Sequence, residues 1–195
     1  MPRIPIEELK KDQVIKANLK GGNFAFHTTW GLFSPKEIDG GTKMLLDCIN
    51  PKPTDNIFDL GCGYGALGIP LAHLSPQGTT HMVDRDFIAV EYAKKNANDN
   101  GAGNIKTYLS NGFDQVPKDT HFDLIASNLP AKVNKEFFWI MFSEAKSRLN
   151  LGGALYVVTI KGLKSFIERN FKTIFGNYEK LGEDKTYVAA KTLRN

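Results

Sequence analysis

The sequence predicts an α/β fold, a largely parallel sheet with helices on both faces and an antiparallel hairpin closing one edge. Three observations point there. From Asn56 onward, short apolar runs alternate with stretches of helical periodicity. A glycine-rich turn, DLGCGYGALG, joins the first run to the first of those helices. Near the C-terminus, YEKLGEDKTYVAAKTL reads as two strands around a Gly-Glu-Asp turn. With 195 residues, 42% hydrophobic and 24% charged, one domain over 1–195 is expected. Within it, an N-terminal hairpin and helix over 1–50 precede the core over 51–195.

In chain order, QVIKANLK and NFAFHTTW flank Gly21-Gly22 as a β-hairpin. Next, Phe33-Ser34-Pro35-Lys36-Glu37-Ile38 carries the marks of a helix start. Ser34 and Glu37 form a capping box, Pro35 takes the first helical position, and Phe33 with Ile38 make a hydrophobic staple. Gly40-Gly41 should interrupt that helix before Thr42 to Ile49 continues it. Strands follow at Asn56 to Leu60, Thr79 to Asp84, Ile105 to Leu109, Phe122 to Ser127 and Gly153 to Ile160. Helices are expected over Ala66 to Leu74, Phe87 to Asn100, Asn134 to Leu149 and Leu163 to Phe175. Ala89, Ala93 and Ala97 repeat at helical spacing in the second, and Gly101 suits a left-handed stop after it.

Composition narrows the chemistry. The two cysteines, Cys48 and Cys62, offer neither a disulfide framework nor a CxxC pair. The four histidines are scattered, so no metal site is expected. MPRIPIEELKKD lacks the apolar core of a signal peptide, and no run approaches a membrane span, which makes the cytoplasm the expected location. A net charge of +4 permits a nucleic-acid partner without arguing for one.

Gly61, Gly63 and Gly65 follow a strand and open a helix, a Rossmann-like arrangement in which the backbone can approach a ligand closely. Asp84, at the end of the next strand, is the usual partner of ribose hydroxyls. Asp59 discriminates between cofactors. A dinucleotide sets its pyrophosphate at this turn, where a carboxylate would repel it. S-adenosyl-L-methionine carries no phosphate and brings a cationic amino group and sulfonium, which an acid suits.

The chain here resembles the class I methyltransferases of the "methyltransferase small" family. GLFSPKEIDGGTKMLLD, IFDLGCGYGALGIPLA, VDRDFIAVEYAKKNANDNG and FDLIASNLPAK look like its consecutive motifs, and the likeness runs from about Phe24 to the C-terminus. The resemblance implies that Asp59, Gly61, Cys62, Gly63 and Gly65 hold the methionine end of S-adenosyl-L-methionine and that Asp84 takes the ribose. It implies that Arg85 and Phe87 border the adenine, with Asn111, Gly112 and Phe113 on the other edge. Phe33, Gly41 and Thr42 would lie over the methionine portion. The family includes enzymes acting on guanine N2 of ribosomal RNA, so RNA is the implied partner.

Catalysis is expected at Ser127-Asn128-Leu129-Pro130, after the fourth core strand, where an open α/β sheet places its ligand crevice. An exocyclic amine is a weak nucleophile because its lone pair is delocalised. The Asn128 side-chain oxygen and the next carbonyl, Leu129's, can accept its two N–H bonds, while Pro130 fixes the backbone. The family pattern is Asn-Pro-Pro followed by an aromatic or large apolar residue. Here Leu129 replaces the first proline, as in the Asn-Leu-Pro of rRNA adenine dimethylases, and Ala131 stands where an aromatic would stack. A ring must come from elsewhere, with Phe26, Phe137, Phe138 and Trp139 as candidates. The lysines and arginines of the C-terminal third, with Lys132 and Lys135, are candidates to track phosphates. Guanine N2 leads as acceptor, adenine N6 follows, and a protein glutamine or a small molecule comes third. An inactive cofactor-binding subunit working through a partner protein is the alternative of a different class.

Overall fold

A computed structural model describes residues 5–131 and 134–195. After a short helix α1 (Ile6–Leu9), strands β1 (Gln13–Leu19) and β2 (Gly22–Thr28) form a separate antiparallel pair. Its turn is centred on Lys20 and Gly21, φ 52° and 80°, with Leu19 opposite Gly22. The turn therefore sits one residue earlier than Gly21-Gly22 suggested. Two consecutive left-handed residues match the twist of the strands they join.

Helix α2 (Gly40–Cys48) departs from expectation. Ser34 is no N-cap, because its φ is +47° and its hydroxyl donates to the Glu37 carbonyl instead of accepting an amide proton. Asp39 caps the helix instead, accepting the Thr42 N–H at 3.1 Å, and Gly40-Gly41 open it. A side chain at Gly41 would put Cβ 3.0 Å from the Tyr187 ring. Close packing against that ring explains glycines where helix propensity disfavours them.

The core alternates β3 (Ile57–Leu60), α3 (Gly68–Leu74), β4 (Thr80–Asp84), α4 (Phe87–Asp99), β5 (Ile105–Leu109), β6 (Phe122–Asn128), α5 (Lys135–Arg148), β7 (Leu149–Ile160) and α6 (Lys164–Phe175). The final hairpin is β8 (Glu179–Glu183) and β9 (Tyr187–Leu193). The sheet order is β5-β4-β3-β6-β7-β9-β8, parallel from β5 through β7 and antiparallel at β7-β9 and β9-β8. β7 starts at Leu149, before the expected Gly153, with an irregular register against β6 near Phe122 and Leu124. Gly101 closes α4 at φ 70°.

Because the inner strands are covered on both sides, they read as apolar runs without alternation. Ile57, Met82, Leu124 and Val158 face one core with α2, α3 and α4. Phe58, Val83, Ile125 and Val157 face the other with α5 and α6. Phe58 stacks on Phe113, rings 4.4 Å apart. Among the described residues no helix is long and apolar enough to cross a membrane.

Candidate active site

Strand order reverses between β3 and β6, and a crevice opens there at the carboxyl ends of the strands. A cavity of about 640 Å³ occupies it, within the roughly 300–1,000 Å³ typical of small-molecule sites. Asp59 of β3 and Asn128 of β6 lie on opposite sides of the switch and both line it.

One half of the cavity is built from consecutive residues. After β3 the chain turns through Gly61, Gly63 and Gly65, φ 76°, 55° and 94°. The Gly61 and Cys62 amides donate to the Val83 carbonyl at 2.9 Å, and Gly63 N–H donates to Asp84 Oδ2 at 2.9 Å. Asp84 Oδ1 accepts the Asp86 amide at 3.0 Å, so this carboxylate ties the glycine turn to the start of α4. Asp59 is almost wholly enclosed, and its Oδ2 accepts the Gly68 N–H at 2.8 Å. Burial first, then the nearby Asp84 charge, pushes its pKa up to about 7 against the Gly68 hydrogen bond. The expected fixed carboxylate is therefore a proton-responsive group at neutral pH. Its bond to Gly68 also occupies the amide opening α3, the place a pyrophosphate would need. Burial and the Asp59 and Asp84 charges push the Cys62 thiol up, which leaves it an unreactive wall.

The other half is assembled from three distant segments. The Asn128 Nδ2 group donates to Asp39 Oδ2 at 2.8 Å and to Thr42 Oγ1 at 3.0 Å. Tyr187, first residue of β9, donates its hydroxyl to Asp39 Oδ1 at 2.7 Å. That bond to the carboxylate, with burial, pushes the Tyr187 pKa up to about 12. Leu129 buries its side chain and donates its N–H to the Val158 carbonyl at 2.9 Å, which anchors the backbone beyond β6.

The methyltransferase small domain family matches residues 23–191. The chain belongs to that family. It is 34% identical over 176 residues to the uncharacterized protein YbxB of Bacillus subtilis, covering 89% of this chain and 87% of that one. It is also 31% identical to the ribosomal RNA large subunit methyltransferase G of Vibrio campbellii, covering 84% of this chain but only 44% of the relative. Among solved structures, the T. thermophilus 16S rRNA N2 G1207 methyltransferase (RsmC), determined with AdoMet and guanosine, superposes with a TM-score of 0.86 at 24% identity. That match covers 94% of this chain and 51% of the other, so the chain spans about half of these two rRNA methyltransferases. The protein is an S-adenosylmethionine-dependent methyltransferase.

Most residues singled out from the methyltransferase motifs line the cavity. Phe33, Thr42, Asp59, Gly61, Cys62 and Gly63 do so, as do Asp84, Arg85, Asn111 and Gly112, and at the far wall Asn128, Leu129 and Pro130. Four do not. Gly65 is a packing position, where a Cβ would lie 2.7 Å from the Ile69 side chain. Gly41 seats Tyr187, Phe113 is core, and Phe87 is exposed outside the cavity. Of the proposed rings, Phe26 and Phe138 are buried, and Trp139 is exposed on α5 away from the cavity. Phe137 lines it, as does Phe33, which is 65% exposed.

The basic residues of the C-terminal third are largely engaged within the protein. Lys161, Lys164 and Lys180 converge on Glu183, holding its pKa down to about 2. Lys172 pairs with Glu168, while Lys146 and Arg148 donate to backbone carbonyls. Lys132 lies outside the described residues. Lys135 is exposed and makes no ion pair among the described residues, and Lys16, Lys20 and Lys43 line a second recess between the N-terminal hairpin and α2. Sequence reasoning missed Asp39 and Tyr187. Asp-Gly-Gly-Thr could have been read as an N-cap, but nothing local marked Tyr187.

Proposed function

We propose that the protein methylates an exocyclic amino nitrogen of an RNA base, with guanine N2 of ribosomal RNA the leading acceptor. The observation that carries this reading is the Asn128 amide. Its two N–H bonds are spent on Asp39 and Thr42, which leaves Oδ1 as the group available to an acceptor in the cavity. An acceptor oxygen at that place suits an incoming N–H donor. Two of the three similar proteins carry rRNA methyltransferase names, which supports RNA as the substrate class.

The residues present fit S-adenosylmethionine. Asp59 offers a carboxyl to its cationic end, and Asp84 retains acceptor capacity for ribose hydroxyls. Cβ atoms at Gly61 and Gly63 would meet no atom within 4 Å, so the turn borders open space. When bound, the cofactor supplies an electrophilic methyl group on a positively charged sulfur. The protein's own part is to hold the amine. Asn128 Oδ1 and the Leu129 carbonyl accept its N–H bonds and draw the nitrogen toward a pyramidal, nucleophilic geometry. Orientation of this kind contributes several kcal/mol to a bimolecular transfer. With Ala131 unable to stack, Phe33 and Phe137 are the rings that line the cavity and can hold a base, a contact worth about 1–3 kcal/mol. An amine engaged in a duplex cannot enter, so the target base must be unpaired or flipped.

The test is transfer of labelled methyl from S-adenosylmethionine to ribosomal RNA from a strain lacking the gene, followed by nucleoside mass spectrometry. A methylated guanine is expected. Methyladenine would move the acceptor to N6, as Asn-Leu-Pro allows. An unchanged RNA profile beside a missing methyl mark on protein would overturn the reading in favour of an amide nitrogen.

A further inference from the structure

The Asn128 amide can sit in its site two ways, related by a half-turn that exchanges oxygen and NH2. An ionised carboxylate has acceptors only, so the edge of Asn128 facing Asp39 must be the NH2. The reverse orientation would press Oδ1 against a carboxylate oxygen. Thr42 Oγ1 receives the second N–H, so the amide is fixed at both hydrogens.

Asp39 is itself held. Its Oδ2 takes the Thr42 amide and Asn128, and its Oδ1 takes the Tyr187 hydroxyl. With both oxygens engaged inside the protein, this carboxylate is poorly placed to remove a proton from a substrate. Tyr187 is seated by the glycines at the start of α2 and by its own backbone. Gly40 and Gly41 leave room for the ring, and Asp184 Oδ1 accepts the Tyr187 amide at 2.6 Å. The chain of contacts thus runs from the β8-β9 turn, through the N-terminus of α2, to the end of β6.

We propose that Tyr187 and Asp39 are positioning residues: Tyr187 locks the Asp39 carboxylate, which with Thr42 turns Asn128 so that Oδ1 meets the acceptor nitrogen. This rests on reading Asn128 as the acceptor-facing group. Both residues line the cavity, and in this scheme they act through Asn128 and not on the acceptor itself. Their effect is to keep the amide in one orientation before substrate arrives, which saves reorganisation in the transition state.

Two measurements test this, one without turnover. In protein labelled with ¹⁵N-asparagine, the Asn128 side-chain signal is identified by its loss in Asn128→Ala. Tyr187→Phe removes one hydroxyl from the network, and it should shift that signal and speed its hydrogen exchange about tenfold. Asp39→Ala should do so more strongly. An Asn128 signal unmoved in both variants overturns the proposal. The second measurement is kinetic, on ribosomal RNA from the deletion strain. Tyr187→Phe should lower kcat about tenfold, with KM and cofactor affinity changed less than about twofold, and should have no further effect in an Asn128→Ala background. Loss of turnover in Asn128→Ala beside an unaffected Tyr187→Phe enzyme overturns the proposal alone. Full turnover in Asn128→Ala removes the underlying reading and the proposal with it.

Discussion

The two walls of the cavity are made in different ways. The Asp59 wall is local: a strand end, a turn of left-handed glycines and the first helical amide, all within Asp59 to Gly68, with Asp84 fastening the turn. The Asn128 wall is long-range, joining positions 39, 42, 128 and 187 from three segments. Local construction makes the first wall robust and visible in the motif. Assembly from afar makes the second depend on the whole sheet, including the terminal hairpin whose β9 supplies Tyr187. On the proposed reading, cofactor binding and acceptor orientation are separable, and mutations should separate them.

The largest effect should come from the long-range wall. Asn128→Ala is expected to lower turnover on the order of 10²- to 10³-fold, the scale of losing one preorganised hydrogen-bonding group, with cofactor affinity unchanged in calorimetry. A parallel loss of cofactor binding would merge the two walls into one site.

On the local wall, the proposed cofactor role of Asp59 would set function against stability. Its folded pKa near 7 lies above the ordinary 3.8, so the folded state holds the proton more tightly. Below both values there is no cost. As pH rises toward 7 the unfolded chain ionises first and stability falls, and above 7 the full cost remains, on the order of 4 kcal/mol. Asp59→Asn should therefore raise the Tm of the cofactor-free protein at pH 8 and change it little at pH 4. The same substitution should weaken S-adenosylmethionine by about 1–3 kcal/mol, through loss of a charge-assisted contact. In the wild type, affinity should fall as pH drops from about 7 toward 5.5, because a cationic ligand must displace the Asp59 proton. A flat profile would take Asp59 out of the binding wall.

Gly68→Ala offers a smaller, purely steric break. A Cβ there would lie 2.6 Å from Met82 Sδ and 2.8 Å from Asp59 Oδ2. The expected cost is roughly 1–3 kcal/mol in denaturant unfolding, with cofactor affinity also reduced as Asp59 shifts. Should the variant unfold normally and bind normally, the local wall is less tightly built than its geometry implies.

The smallest effect is expected at Trp139. It lies outside the cavity, so Trp139→Ala should leave cofactor affinity and kcat near wild type. A large loss of RNA methylation would extend the acceptor wall along α5.

Sequence alone determined the alternation of elements, because parallel strands buried on two faces leave apolar runs and surface helices leave a helical period. It also marked the glycine turn, where φ values of 55° to 94° demand residues without Cβ, and the acid that opens it. Asn128 was legible as a polar residue ending an apolar strand at the switch point. Side-chain fate was not. Phe26 and Phe33 look alike in the chain, yet one is enclosed against Phe24 and Tyr64 while the other lines the cavity. The cap of α2 is not legible in the sequence, because Ser34 carries the favoured pattern, and only the fold reveals its positive φ and the Tyr187 ring packed on Gly41. Tyr187 lies 148 residues from its Asp39 partner, and only the tertiary structure decided that contact. Local patterns encode local hydrogen bonds; a hydrogen bond between distant segments exists only once the sheet has brought them together.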